Sequence, residues 1–213
     1  MLDVQVAEAE DEEQPYLSEY SPLDGEVYTA DEISDIEIRR ATGRDFLAIA
    51  AIDRVAWGTD EADRYIPDGE HAWRFWVGTA YVYSAWVRLK DHDNELLVGA
   101  VLAFLSVSDI DLDGVKELLT EDEVDTRPVF AVHKAFVHPK FRGLGLGTKL
   151  FDEVLKKIDA SNGHAFLTVK PDNKPARKLY EKMGFTEPYL IKGSYREQED
   201  RLLQFRRAPS DEV

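Results

Sequence analysis

The spacing of apolar residues along the chain changes period several times, and each change marks an element. Ile36-Glu37-Ile38-Arg39-Arg40-Ala41 alternates and predicts a first strand. Thr42 stands as a cap before Phe46, Leu47, Ile49, Ala50 and Ile52, which share a helical period. Residues 71–79 predict a short second helix. The runs 81–89 and 96–105 read as strands joined by the turn Asp91-His92-Asp93-Asn94, hence as an antiparallel hairpin. The second of them is apolar on both faces, as a central strand is. Residues 129–136, β-branched and aromatic, predict a fourth strand, and Pro139, which has no N–H, ends its ladder. Helical spacing returns at Leu150, Phe151, Val154, Leu155 and Ile158. Residues 164–169 predict a fifth strand. A helix follows, capped by Asn173, with Pro175 in its first turn and Gly184 at its end. Tyr189-Leu190-Ile191 and Leu202-Leu203-Gln204-Phe205 close as a final pair. The order is β-α-α-β-β-β-α-β-α-β-β, with no internal repeat.

Charge divides the chain. Its 213 residues suit one domain with an appendage, and the net charge is −16. Residues 1–36 hold twelve acids and no Lys or Arg, leaving 30 acids against 26 bases in the remainder. Most of the acidity therefore belongs to an N-terminal extension, residues 1–35, in which charge repulsion favours disorder. Tyr16, Leu17, Tyr20, Leu23, Val27 and Tyr28 are apolar enough to dock, so a cover over the active site or a partner surface competes with a solvated tail. An acidic balance argues against non-specific binding to nucleic acid or to an anionic membrane. No apolar run approaches the ~18 residues of a membrane span, and no secretory leader is recognisable, so a cytoplasmic location is expected. There are no cysteines, which removes disulfides, thiolate metal sites and a cysteine nucleophile. Residues 107–127 form an acidic insertion. Asp109-x-Asp111-x-Asp113-Gly114 opens like a calcium loop, but its twelfth position is Thr120, and an Asp-capped helix is the preferred reading. No metal site is expected. Residues 208–213 read as a polar tail.

The chemistry concentrates between the fourth strand and the helix after it, in His138-Pro139-Lys140-Phe141-Arg142-Gly143-Leu144-Gly145-Leu146-Gly147-Thr148. The first N–H groups of a helix lack internal partners and sit at the positive end of its dipole. Glycines let an anion approach the backbone, and a guanidinium supplies donors suited to phosphate. Together these make a pyrophosphate cradle. The spacing fits neither a Walker loop nor a dinucleotide fingerprint.

Arg142-x-x-Gly145-x-Gly147 resembles the R/Q-x-x-G-x-G/A signature of the GNAT superfamily of N-acetyltransferases. Asn173-x-x-Ala176-x-x-Leu179-Tyr180-x-x-x-Gly184-Phe185 resembles a second pattern of that family at its usual distance downstream. The resemblance covers residues 36–207 and is most specific across 129–185. It implies an α/β (α+β) domain: a mixed, mostly antiparallel central sheet with splayed strands and helices on both faces. It implies acetyl-CoA as co-substrate and transfer of the acetyl group to a primary amine: a small cationic amine, a protein lysine or an N-terminus. The pantetheine arm is then expected on backbone groups of Phe136 and Val137. The pyrophosphate is expected on Arg142, Gly143, Leu144, Gly145, Gly147 and Thr148, with Asn173 and Tyr180 beside the cofactor. Tyr180 is the expected general acid. Many relatives carry a Glu near the position of Ala131, and this chain does not. His133, two residues on, and the acids Asp60, Glu61 and Asp63 of the 57–70 loop are the rival bases. The alternatives are an acyl-CoA-binding regulatory module without catalysis, or transfer of a longer acyl group. The oligomeric state is open, a homodimer included.

Overall fold

The computed structural model describes residues 27–56, 69–106, 127–195 and 199–209. The N-terminal acidic segment before residue 27, Asp60, Glu61 and Asp63, and the calcium-like stretch at 109–114 lie outside the described residues.

Seven strands form one sheet: β1 (Ile33–Arg40), β2 (Tyr81–Leu89), β3 (Glu95–Leu105), β4 (Val129–Val137), β5 (His164–Val169), β6 (Thr186–Tyr195) and β7 (Glu199–Arg206). Their order is β1-β2-β3-β4-β5-β7-β6. Every neighbouring pair is antiparallel except β4 and β5. The mixed, mostly antiparallel sheet expected from the resemblance is what the chain forms.

Among the described residues four α-helices cover it: α1 (Phe46–Ala56), α2 (Glu70–Thr79), α3 (Leu146–Asp159) and α4 (Lys174–Lys182). The covering follows from their apolar stripes. Ile49, Ala50 and Ile52 of α1 and Trp73 and Val77 of α2 bury against Val82, Trp86, Leu97, Ala100, Leu102 and Phe136 on one face. Leu146, Leu150, Phe151, Val154, Leu155 and Ile158 of α3 bury against Ala85, Val87, Val101, Val132 and Leu167 on the other, where Leu179 and Tyr180 of α4 join them. Each such side chain contributes roughly 1.5–3 kcal/mol of apolar transfer, so both faces fix the sheet between two helical layers.

The edges of the domain differ from the sequence reading. Strand β1 starts at Ile33, and contacts with the domain begin earlier still, at Tyr28. Tyr28 stacks on Phe141 with ring centroids 4.6 Å apart, and its N–H donates to the Lys140 carbonyl at 2.8 Å. At the other end Ala208 is buried, its N–H donating to His164 Nδ1 at 3.0 Å. Both segments are apolar or small at the contact point, and their partners Phe141 and His164 lie far away in sequence. Among the described residues no helix is long and apolar enough to cross a membrane.

Candidate active site

The parallel pair opens. Strands β4 and β5 are in register only at Val129–His164, Phe130–Ala165 and Ala131–Phe166. Beyond these, β5 pairs only with β7, through Leu202 opposite Val169. Strand β4 stays paired with β3 as far as Val137 opposite Gly99. Residues 132–137 therefore present one backbone edge to a gap.

Which groups face that gap follows from strand alternation. His138 N–H donates to the Val98 carbonyl across β3 at 2.7 Å. Two residues back, Phe136 faces β3 as well, and a Cβ placed on Gly99 would meet its carbonyl at 2.7 Å. The gap-facing groups are thus those of Ala135 and Val137. The sequence reading named Phe136 and Val137, adjacent residues that cannot both point to one edge. Ala135 joins Val137 on the open edge, as the period of two along the strand requires.

A bulge changes the other expectation on β4. Leu102 pairs with Lys134 while Ala103 pairs with Val132, so His133 is the extra residue. Lys134 is turned onto the α1/α2 face by it, and is buried there. Its Nζ lies 2.8 Å from Asp53 Oδ2 of α1, and Trp73 Nε1 of α2 donates to the same oxygen at 3.1 Å. His133 is exposed on that face, its ring 5.5 Å from both Trp76 and Phe104. Ala131 packs on that face too, with Phe166 and Leu203.

The cradle lies at the end of β4. A short 3-10 turn, Pro139–Phe141, carries the chain from the strand into the loop. Beneath it His138 is buried and accepts the Lys140 N–H on Nδ1 at 3.2 Å. Burial, then the charges of Lys140 and Arg142, push its imidazole down to about 4, so the ring is neutral. Gly143 and Gly145 hold φ of +83° and +74°, a conformation open to glycine. A Cβ at either would meet nothing within 4 Å, so the space above the loop is clear. Gly145 caps α3 with no side-chain bond, and the first turn carries no acid. Lys149 N–H is the donor that closes on the Gly145 carbonyl at 3.1 Å, which leaves the N–H groups of Leu146, Gly147 and Thr148 as the unclaimed first donors. This arrangement fits a pyrophosphate. Gly147 has a separate job: its Cβ would lie 3.3 Å from Leu179 Cδ2, so the glycine lets α4 close on α3.

Arg142 is engaged otherwise than its motif implies. Its Nη2 donates to the Ala56 carbonyl at 2.7 Å, and its Nε to the Val137 carbonyl at 3.4 Å. The guanidinium thus ties the last carbonyl of α1 to the loop, with Nη1 left for an anion. Asn173 caps α4, its Oδ1 accepting from Ala176 N–H at 3.2 Å. Tyr180 packs on Phe151 at 5.3 Å and on Phe185 at 6.2 Å, on the α3/α4 face. Burial pushes its phenol up to about 12, and its hydroxyl has no partner among the described residues. The two candidate proton carriers, His133 and Tyr180, thus stand on opposite faces of the sheet, with the β4–β5 opening in the strands between them. Among the described residues no cluster of His, Asp or Glu has the arrangement of a metal site.

The uncharacterized N-acetyltransferase MJ1207 of Methanocaldococcus jannaschii is 34% identical over 71 residues, which is 33% of this chain and 31% of that protein. The chain therefore spans about a third of that relative's length. Among solved structures, the ribosomal-protein-S18-alanine N-acetyltransferase of Escherichia coli superposes with a TM-score of 0.59 at 16% identity, over 84% of this chain and 99% of that one. NAA60 of Arabidopsis thaliana in complex with acetyl-CoA gives 0.60 at 22% identity, over 80% and 98%. The NatC complex bound to Gag peptide and CoA gives 0.61 at 17% identity, over 82% and 99%. These likenesses establish the fold. The sequence profile of the acetyltransferase (GNAT) family matches residues 46–185, from the start of α1 to the residue that closes α4, and the chain belongs to that family.

Proposed function

We propose that the protein is an acetyl-CoA-dependent N-acetyltransferase acting on a primary amine. The observation that carries this reading is the glycine-lined cradle at the N-terminus of α3, set at the end of the strand that leaves its parallel neighbour. The N–H groups of residues 146–148 bind the pyrophosphate, with Arg142 Nη1 beside them. Backbone groups of Ala135 and Val137 hold the pantetheine arm in the gap. When bound, the thioester supplies the carbonyl that the amine attacks.

The amine must first lose a proton, because a lysine-like ammonium titrates near ~10.4. His133, exposed on the α1/α2 face, takes it. Tyr180, on the opposite face, gives a proton to the departing sulfur. Its raised phenol holds that proton across the neutral range. A thiolate released beside the same apolar side chains is itself a stronger base than in water, so donor and acceptor shift together.

The amino terminus of a peptide is the first acceptor to test, because NatC was solved with a peptide and the bacterial neighbour is named for a protein alanine. A panel of free-N-terminal peptides, N-blocked lysine peptides and polyamines, assayed by thiol release, decides among the amines. Tyr180→Phe is expected to lower kcat by ~10²–10⁴ with cofactor affinity unchanged. Turnover equal to that of the parent protein sinks the acid assignment, and no turnover on any amine sinks the enzyme reading.

A further inference from the structure

The flank of α4 turned away from the cradle carries an unassigned cleft. The cradle side of that helix is fixed by Leu179 against Gly147 and by Tyr180 against Phe151. On the other side Lys174, Arg177, Lys178 and Glu181 recur at helical spacing. With Phe185, Thr186 and Gln204 they line a cleft of about 450 Å³. Three cations meet one carboxylate there.

Two buried polar atoms that lack a hydrogen-bond partner, Arg177 Nε and Gln204 Oε1, belong to residues lining this one cleft. Gln204 is 5% exposed and comes from β7, on the same strand face as Leu202, which packs into the core under α3 and α4. Arg177 is oriented by Nη1, which donates to the Pro171 carbonyl at 2.9 Å, and its Nε–H stays unmet. An unmet acceptor and an unmet donor inside a folded chain call for an occupant that answers both. A water can do so, but its share of liquid volume is ~30 Å³, a small part of the cleft, and it brings no charge to Lys174 and Lys178.

We propose that this cleft binds a small phosphate-bearing molecule that also presents a hydroxyl. Phosphate oxygens accept from Arg177 Nε–H and from the two lysines. The hydroxyl donates to Gln204 Oε1. Hydrogen phosphate itself carries both functions, as does a sugar phosphate. The site stands apart from the pyrophosphate cradle and does not rest on the acetyltransferase reading.

The test uses the full chain, once alone and once with excess coenzyme A to fill the cradle. Inorganic phosphate, ribose 5-phosphate and ribose are titrated in turn while the Gln204 side-chain amide is followed by NMR. The resonance is assigned by its loss in Gln204→Leu. A saturating shift with phosphate or ribose 5-phosphate at millimolar concentration, none with ribose, and at least tenfold weaker binding in Lys178→Glu are expected. Tighter binding of ribose 5-phosphate makes the occupant a sugar phosphate, and equal binding makes it the phosphate group alone. Lys178 is exposed, so its variant keeps the fold even if Gln204→Leu does not. A shift that never saturates, an unchanged affinity in Lys178→Glu, or a shift that appears only when coenzyme A is absent overturns the proposal. The last result would make the cleft part of the cofactor's own site.

Discussion

Lys134→Met tests how the α1/α2 layer is held to β4. The Lys134 and Asp53 side chains are 7% and 0% exposed, with Nζ and Oδ2 2.8 Å apart. At an effective dielectric of about 20 the attraction is about 6 kcal/mol, and it is opposed by a desolvation cost of several kcal/mol for each ion. The intact pair is therefore close to neutral for stability. Removing one partner leaves the other charge buried without its counter-ion, at about 3–5 kcal/mol. For a chain of this size that lowers Tm by about 6–20 °C, at about 2–4 °C per kcal/mol. Replacing both residues, Lys134→Met with Asp53→Leu, is expected to recover most of the loss, with Trp73 Nε1 left seeking a partner. Urea denaturation of the parent, both single variants and the double variant closes the cycle. A single-variant loss below about 1 kcal/mol, or losses that add without coupling, would show that the pair is solvated and does not clamp the layer.

Two further outcomes test the loop. Gly145→Ala places an L-residue at φ +74°, which is expected to cost ~1–2 kcal/mol and to weaken coenzyme A binding more than any loss of folding explains. Unchanged stability and binding would mean that the turn accepts another conformation. His138 is neutral when folded because its pKa is about 4 instead of 6.5, so between these values the unfolded chain carries more protons. Stability should then rise with pH across that window, and His138→Gln should flatten the rise. Parallel pH profiles for the two proteins would place the titration elsewhere.

Much of this architecture was readable from residue order, and the reasons for the misses are local. Among the described residues, periodicity found the seven strands and the four α-helices, most plainly where one stripe is buried, as Leu150, Phe151, Val154 and Ile158 are in α3. The cradle was readable because Gly143 and Gly145 need positive φ and leave that need written as glycine. The β4 bulge was not readable. It inserts one residue without any Gly or Pro, and it places Lys134 beside His133 on a face that a regular alternation gives to only one of two neighbours. The tie from Arg142 to α1 was not readable for a similar reason. A motif gives the residue and its neighbours in sequence, whereas its partner Ala56 lies 86 positions away. That Tyr28 can dock was readable, but its target was not, since composition averages over a segment while one aromatic ring on Phe141 decides its fate.

The first measurement is a calorimetric titration of the full chain with acetyl-CoA, repeated with Gly145→Ala. Binding with Kd near or below ~10⁻⁴ M, weakened tenfold or more by the substitution, is expected if the α3 N-terminus is the pyrophosphate site. Equal affinity in both proteins would move the cofactor off this loop, and no binding to the parent chain would leave the glycines as scaffold and remove the acetyltransferase reading.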